Sequence, residues 1–236
     1  MKSGAILGAA LGILFMVTAA FGAEQTLLKS KQDKTSYAIG INIGTDLKMQ
    51  AIEVNPDILM RGLKDTLSGK KKLMTDEEIR ETMAAFTKEL NEKRAEAMKK
   101  LGKKNKQEGE KFLAENKKKA GVKTLASGLQ YKVIKEGTGK IPKATDTVTV
   151  NYRGTFVDGQ EFDSSARHGQ PATFPVTGVV PGWTEALQLM KEGAKWQLFL
   201  PANLAYGERG MGGVIGPNAT LVFEVELLSI KADEKK

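Results

Sequence analysis

Two hydrophobic periods divide the chain. Before about residue 120 the apolar residues recur at helical spacing: Leu59, Leu63 and Leu67 follow at steps of four, which places them on one helix face. From Leu129 onwards apolar and polar residues alternate, which is the spacing of half-buried β-strands. The pattern therefore predicts an α+β protein in which helices come first and an antiparallel sheet follows.

The first helical part, residues 24–74, is predicted to consist of short helices. Asn55 before Pro56 is typical of an N-cap followed by proline at the first helical position. Gly40 and Gly44 lie four positions apart, so they share one helix face and allow another backbone to approach closely. That contact is either tight packing within one chain or an interface between two chains. Because so short a segment builds a small core by itself, we expect residues 24–74 to form a dimerisation domain.

A connecting segment over residues 75–122 is predicted to form one long helix. Thr75 and Glu78 have the spacing of a capping box, which marks its start. The sequence after the first turns is strongly polar and rich in lysine, so we expect this helix to face solvent. Gly102 and Gly109 interrupt it, and each is expected to cost about 1 kcal/mol relative to alanine.

The last part, residues 123–236, carries the strand signals. Val150 and Tyr152 share one face of a predicted strand, and the Asp-Gly pair at 158–159 is a hairpin turn signal. A short helix is predicted to begin at Pro181, and further alternating segments follow it. We therefore expect an antiparallel sheet with one short helix laid across it.

The N-terminus, residues 1–23, has the form of a secretory signal peptide. Lys2 gives it a positive start, a long uncharged apolar run follows, and small residues near the end allow cleavage. A retained membrane anchor is the alternative, because the run is close to the ~20 residues that span a bilayer. Cleavage predicts a mature protein that is exported.

Composition excludes several kinds of site. The 236 residues contain no cysteine and a single histidine, which rules out disulfides and thiolate metal sites and makes other metal centres unexpected. A net charge of +8 raises the question of an anionic partner. However, glutamates are interspersed in the lysine-rich segment and aromatic residues are nearly absent from it, so we interpret it as a solvated helix face that binds no nucleic acid. No cofactor or metal is expected.

The candidate chemistry lies in a set of aromatic and branched residues with one acid, Asp163. The apolar and aromatic members are Tyr152, Phe162, Val179, Val180, Trp183, Tyr206, Ile215 and Phe223. Such a set indicates an apolar pocket with a single carboxylate. Taken one at a time, most of these side chains would be core residues in any sheet, and Asp163 could simply cap a turn. Ser164 lacks an identifiable base, and His168 is interpreted as a surface loop residue.

The order of several sequence blocks resembles the FKBP-type peptidyl-prolyl isomerases. The blocks are V-x-Y-x-G at 150–154, D-G-x-x-F-D-S-S at 158–165, V-V-P-G-W at 179–183, A-Y-G at 205–207 and A-T-L-V-F-E-V-E-L-L at 219–228. Upstream, YAIGINIGTDLK at 37–48 and VNPDILMRGLKD at 54–65 resemble the exported bacterial branch, the macrophage infectivity potentiator and FkpA-like proteins. The resemblance covers essentially the whole mature chain.

The resemblance implies both a fold and a location. The fold is a C-terminal antiparallel half-barrel sheet wrapped on a short helix, preceded by a long linker helix and a small all-α dimerisation domain. The location is the periplasm or the outer membrane, and the expected assembly is a homodimer. The expected partners are proline-containing unfolded polypeptides, and macrolide inhibitors of the family are further possible ligands. Ala172, His168 and Met211 depart from the residues that many members have at the rim of the pocket.

The resemblance also implies an activity, peptidyl-prolyl cis-trans isomerisation. Asp163 and Tyr206 are the catalytic positions it implies, and the substrate-binding positions are Tyr152, Phe162, Val179, Val180, Trp183, Ile215 and Phe223. An apolar pocket suits this reaction, because the twisted amide has lost its resonance and is less polar than the planar one. The alternative function is that of a holdase chaperone, in which a client-binding cleft of the dimer matters more than isomerisation.

Overall fold

The computed structural model describes residues 28–231 of the chain. The predicted signal peptide, residues 1–23, lies outside them. The chain divides into two compact units, residues 1–79 and residues 80–236. Within the described part of the chain, no helix combines the length and apolarity needed to cross a membrane.

Within residues 28–79, the N-terminal unit contains two helices, α1 (Lys31–Met49) and α2 (Pro56–Leu67). The predicted cap of α2 is confirmed, since the Asn55 side chain accepts hydrogen bonds from two backbone N–H groups of the first turn. Almost all side chains of both helices are exposed, including the apolar ones. The unit therefore leaves most of its apolar surface uncovered within one chain.

A single long helix, α3 (Asp76–Asn116), begins at the end of the N-terminal unit and continues into the second. Thr75 and Glu78 form the predicted capping box: the Glu78 carboxylate accepts from the Thr75 N–H at 2.7 Å, and the Thr75 hydroxyl accepts from the Glu78 N–H at 3.2 Å. The prediction of a helix that faces solvent throughout is wrong for its C-terminal half, where Gly102 and Gly109 are buried. The sheet and its loops pack against this half.

The second unit is built on one antiparallel sheet. Within residues 80–231 its strands are β1 (Val122–Thr124), β2 (Gln130–Lys135), β3 (Thr147–Phe156), β4 (Glu161–Ser164), β5 (Ala172–Pro175), β6 (Lys195–Leu200) and β7 (Leu221–Lys231). Their spatial order is β1-β2-β6-β7-β3-β4, and β5 also pairs with β3. The two longest strands, β3 and β7, pair along their whole lengths, so they form the centre of the sheet.

The core lies where a short helix, α4 (Pro181–Leu187), meets the sheet. Leu187 from α4 and Leu198 and Val225 from the sheet are fully buried there. Gly182 allows this close packing, because a Cβ at that position would lie 2.7 Å from Cγ of Leu200. The predicted α+β class, with its antiparallel sheet and one short helix, is confirmed.

Candidate active site

Trp183 lies at the centre of a group of aromatic rings. It is 4% exposed, and α4 places it against two rings from the sheet. Its ring centroid lies 5.6 Å from that of Tyr152 on β3 and 5.3 Å from that of Phe223 on β7, with interplanar angles of 78° and 87°. These edge-to-face contacts fix the plane of the indole. The indole N–H has no hydrogen-bond partner among the described residues.

Phe162 on β4 extends the group at the edge of the sheet. Its ring packs edge-on against Phe223, with centroids 5.6 Å apart. The two rings meet above Gly154 of β3, where a Cβ would lie 2.6 Å from Cζ of Phe162 and 2.8 Å from Cε1 of Phe223. A residue without a side chain is therefore required at position 154 for both rings to keep their places.

Asp163 follows Phe162 directly and accepts hydrogen bonds on both carboxylate oxygens. The Tyr152 hydroxyl donates to Oδ2 at 2.6 Å, and Nε2 of His168 lies 2.9 Å from Oδ1. The Ser164 N–H donates to Oδ1 as well, at 2.9 Å. Burial raises the pKa of Asp163, but the hydrogen bonds from Tyr152 and His168 outweigh it, so the pKa lies below its ordinary value of 3.8. The carboxyl group is therefore ionised at neutral pH.

Two tyrosines differ in what their hydroxyls bind. Burial and the hydrogen bond to Asp163 raise the pKa of Tyr152, and its hydroxyl is committed to that carboxylate. Burial and the charge of Asp163 also raise the pKa of Tyr206, so both tyrosines are neutral donors. Unlike Tyr152, Tyr206 makes no side-chain hydrogen bond within residues 28–231. Its hydroxyl is available to a ligand.

The remaining predicted site residues surround the aromatic group. Val179 and Val180 are partly buried and pack against the core at the start of α4, while Ile215 is 2% exposed in the same core. The Val180 carbonyl accepts the N–H groups of Trp183 and Thr184, and so begins the helix. The Val180 N–H donates to no group in the described part of the chain. Eight of the nine predicted residues therefore belong to, or pack against, one core cluster. The ninth, Asp163, is hydrogen-bonded to Tyr152, which packs against it.

Two residues outside the predicted set of site residues belong to this site: Phe174 contacts the rings, and His168 contacts Asp163. Phe174 of β5 lies 6.2 Å from the Trp183 ring and 6.4 Å from the Tyr152 ring, centroid to centroid. The interpretation of His168 as a surface residue fits its side chain, which is 63% exposed, but does not include its contact with Asp163. A short 3-10 helix, Ser165–His168, turns the side chain back onto that carboxylate.

The lowered pKa of Asp163 predicts how stability depends on pH. A carboxyl group with a depressed pKa in the folded state stabilises it above the unfolded pKa, and this contribution is lost as the pH falls through the folded value. The difference in free energy of unfolding between wild type and Asp163→Asn should thus shrink as the pH falls below about pH 4. Denaturant unfolding across this acid range measures it. A difference that grows as the pH falls below about pH 4 would contradict the assigned direction.

Comparison with known families shows to which family the chain belongs. Residues 32–133 match the family model described as the domain amino terminal to FKBP-type peptidyl-prolyl isomerase, and residues 139–228 match that of FKBP-type peptidyl-prolyl cis-trans isomerase. The chain belongs to the FKBP-type peptidyl-prolyl isomerase family. The resemblance that the sequence blocks indicated is thereby confirmed, as is the predicted enzyme class.

Individual relatives place the chain within this family. It is 47% identical to Outer membrane protein MIP of Legionella longbeachae, over 98% of this chain and 99% of that protein. It is 46% identical to peptidyl-prolyl cis-trans isomerase Mip of Coxiella burnetii, over 87% of this chain and 90% of that one. The crystal structure of FkpA from Escherichia coli is similar with a TM-score of 0.67 and 41% identity, covering 87% of this chain and 99% of that chain. The chain is thus an FKBP-type isomerase of the Mip and FkpA kind.

Proposed function

We propose that the group of rings around Trp183 binds the proline of an exported polypeptide and accelerates rotation of the X–Pro bond. The carrying observation is that Trp183 is held by edge-to-face contacts to Tyr152 and Phe223, while the Tyr206 hydroxyl beside them is uncommitted. An indole fixed in this way offers a flat apolar surface against which a proline ring can pack.

Differential stabilisation of the twisted amide explains the catalysis. The planar amide has a barrier to rotation of about 18–20 kcal/mol, because rotation breaks its resonance. At the transition state the carbonyl oxygen carries less negative charge than in the planar state. An apolar surface therefore disfavours the planar amide more than the twisted one, and the barrier falls without any covalent step.

Polar groups around the rings orient the peptide in this proposal. The Val180 N–H and the Tyr206 hydroxyl donate hydrogen bonds to substrate carbonyls on either side of Trp183. Asp163 holds the Tyr152 hydroxyl at 2.6 Å and so fixes that ring, and its remaining negative charge faces the carbon of the rotating carbonyl. Since its pKa is low, Asp163 acts by charge and position and transfers no proton. Macrolides of the kind that inhibit this family would compete for the same rings.

Removing the Tyr206 hydroxyl should lower isomerase activity. Tyr206→Phe is expected to reduce kcat/KM for a proline tetrapeptide about fivefold, the value of one hydrogen bond of about 1 kcal/mol. Tyr131→Phe is the matched control, because Tyr131 stacks on Trp196 at 4.3 Å and makes no ring contact to the site. A protease-coupled assay on the purified protein measures both variants. Wild-type protein no faster than the spontaneous reaction would end the proposal, and an unaffected Tyr206→Phe would remove Tyr206 from it.

Homodimerisation through residues 24–74 is the second part of the proposal. Tyr37 and Ile41 of α1 are 60% and 53% exposed, and Ile58 and Leu67 of α2 are 66% and 79% exposed. Apolar surface left open in so small a unit is typical of a face that another chain covers. A second copy of the same chain is the occupant that the resemblance to the Mip and FkpA proteins implies.

A charge within this surface should separate the dimer. Ile41→Lys is expected to halve the mass measured by sedimentation, because it would bury an unpaired ammonium in the interface. Glu53→Lys is the control, since Glu53 is an exposed polar residue of the same unit. The rate on a tetrapeptide should stay unchanged in both. A wild-type protein that sediments as a monomer would contradict the prediction.

A holdase function is the alternative that the same exposed residues favour. It locates client binding in the N-terminal unit and gives the aromatic site a minor part. Under this alternative Ile41→Lys suppresses the aggregation of an unfolding client less well than wild type while its tetrapeptide rate is unchanged. Equal suppression by both proteins would count against it. Either function fits export to the periplasm or outer membrane, a location supported by the name of the Legionella longbeachae relative and by the signal-like residues 1–23.

A further inference from the structure

The C-terminal half of α3 packs directly on the loop that leads into β7, here called the rim loop, residues 207–220. Gly109 faces Thr220, and a Cβ on Gly109 would lie 2.9 Å from Cβ of Thr220 and still closer to its Oγ1. About two helical turns earlier, a Cβ on Gly102 would lie 3.1 Å from Cβ of Pro217. The two glycines thus mark the places where the backbone of the helix approaches the rim loop most closely. Glycine disfavours a helix, so their use here fits a packing requirement.

Hydrogen bonds join the same two segments. Nδ2 of Asn105 donates to the Pro217 carbonyl at 2.7 Å, over 112 positions of sequence. Nδ2 of Asn218 donates in the other direction, to the Gly102 carbonyl at 3.4 Å. Asn218 has a φ of 56°, a left-handed conformation in which asparagine is one of the few tolerated residues. The end of the rim loop is therefore held to the helix by two hydrogen bonds, one donated by the Asn105 side chain of the helix and one donated by the Asn218 side chain of the loop.

The rim loop connects these contacts to the aromatic site. The Asn218 N–H donates to the Gly207 carbonyl at 2.8 Å, and the Gly210 N–H donates to the Tyr206 carbonyl at 3.2 Å. Between them, Met211 and Ile215 exchange two backbone hydrogen bonds, of 2.8 Å and 3.0 Å. Backbone hydrogen bonds thus connect Tyr206 and the buried Ile215 to the end of the rim loop, which contacts the helix.

We propose that Asn105 and Gly109 of α3 are positioning residues of the isomerase site, because they fix the rim loop that places Tyr206 and Ile215. This inference rests on the proposed function, in which the Tyr206 hydroxyl donates a hydrogen bond to the substrate. The helix also contacts the sheet at a separate place, further along α3, where Phe112 packs on Phe199 with centroids 6.0 Å apart. The Asn105 and Gly109 contacts instead act on the loop.

Breaking the Asn105 hydrogen bond tests the proposal in the full-length protein. In Asn105→Ala, the amides of Gly210, Met211 and Asn218 should exchange with deuterium about fivefold faster than in wild type, the effect of one lost hydrogen bond on local opening. The ratio of kcat/KM between two tetrapeptides that differ in the residue before proline should change as well. A loss of folded protein alone would lower both rates equally and leave their ratio unchanged. Lys106→Ala is the control, because Lys106 is the exposed next residue of the same helix.

A second, independent test changes the sizes of the two residues in contact, Gly109 and Thr220. Gly109→Ala should disturb the loop by steric overlap with Thr220, and Thr220→Gly in the same chain should restore the exchange rates and the peptide ratio toward wild type. Faster loop exchange with an unchanged peptide ratio, in a wild-type enzyme that is active, would overturn this inference and leave the proposed function standing. Unchanged exchange in both single variants would overturn it too. A wild-type protein without isomerase activity would refute the proposed function itself.

Discussion

Trp183→Ala should lower kcat/KM for proline isomerisation at least about tenfold, which corresponds to about 1.4 kcal/mol of lost transition-state stabilisation. Trp183 is 4% exposed, and its indole touches the rings of Tyr152, Phe174 and Phe223. Its removal takes away the apolar surface on which the proline ring is proposed to lie. A cavity in place of the indole should also destabilise the domain by about 3–5 kcal/mol.

A second substitution separates the loss of the surface from the loss of stability. Trp183→Leu keeps much of the apolar volume but removes the flat aromatic face, so it should remain folded and still lose most of the activity. Trp196→Leu is the control, because this buried tryptophan stacks on Tyr131, outside the ring contacts of the site. The assay is run well below the midpoint of thermal unfolding. A folded Trp183→Leu with wild-type kcat/KM would contradict a role for the indole in substrate binding.

The sequence predicted those parts of the fold that local pattern encodes. The cap at Asn55 and the start of the long helix at Thr75 rest on contacts between residues two or three positions apart, which the spacing reveals. The alternation through Val150 and Tyr152 gave the central strand for the same reason. The site residues were predicted as one set because the ordered sequence blocks resemble a known family. The structure places them in and around one core. Individually, each would have been interpreted as a core side chain.

Three features could not be predicted, because each depends on contacts that the local pattern of hydrophobic and polar residues does not reveal. Gly102 and Gly109 were interpreted as weak points of an exposed helix, since their partners lie more than a hundred positions further along the chain. Phe174 was missed because β5 is four residues long and ends in a proline, a poor strand signal. His168 was missed as a partner of Asp163 because only the turn of a short 3-10 helix brings it back.

Gly154→Ala should damage the site and the stability of the domain together. Its Cβ would lie within 2.8 Å of Phe162 and Phe223, so one of the two rings must move. Overpacking of this kind costs about 1–3 kcal/mol. Phe223 packs on Trp183, so the displacement should reach the indole, and kcat/KM should fall along with the denaturant midpoint.

The matched control for Gly154→Ala is the same substitution where space is open. Gly62 lies in α2, and the new Cβ would have no atom of the described residues within 4 Å apart from its chain neighbours and the backbone of its own helix. Gly62→Ala should therefore raise stability by up to about 1 kcal/mol through helix propensity and leave the tetrapeptide rate unchanged. Adding Phe162→Leu to Gly154→Ala should recover stability, because the shorter side chain vacates the position of Cζ. It should not restore the activity, since the aromatic wall at position 162 is gone. A Gly154→Ala protein with the denaturant midpoint and the kcat/KM of wild type would show that the two rings move without cost. That result would contradict a site that depends on their fixed positions.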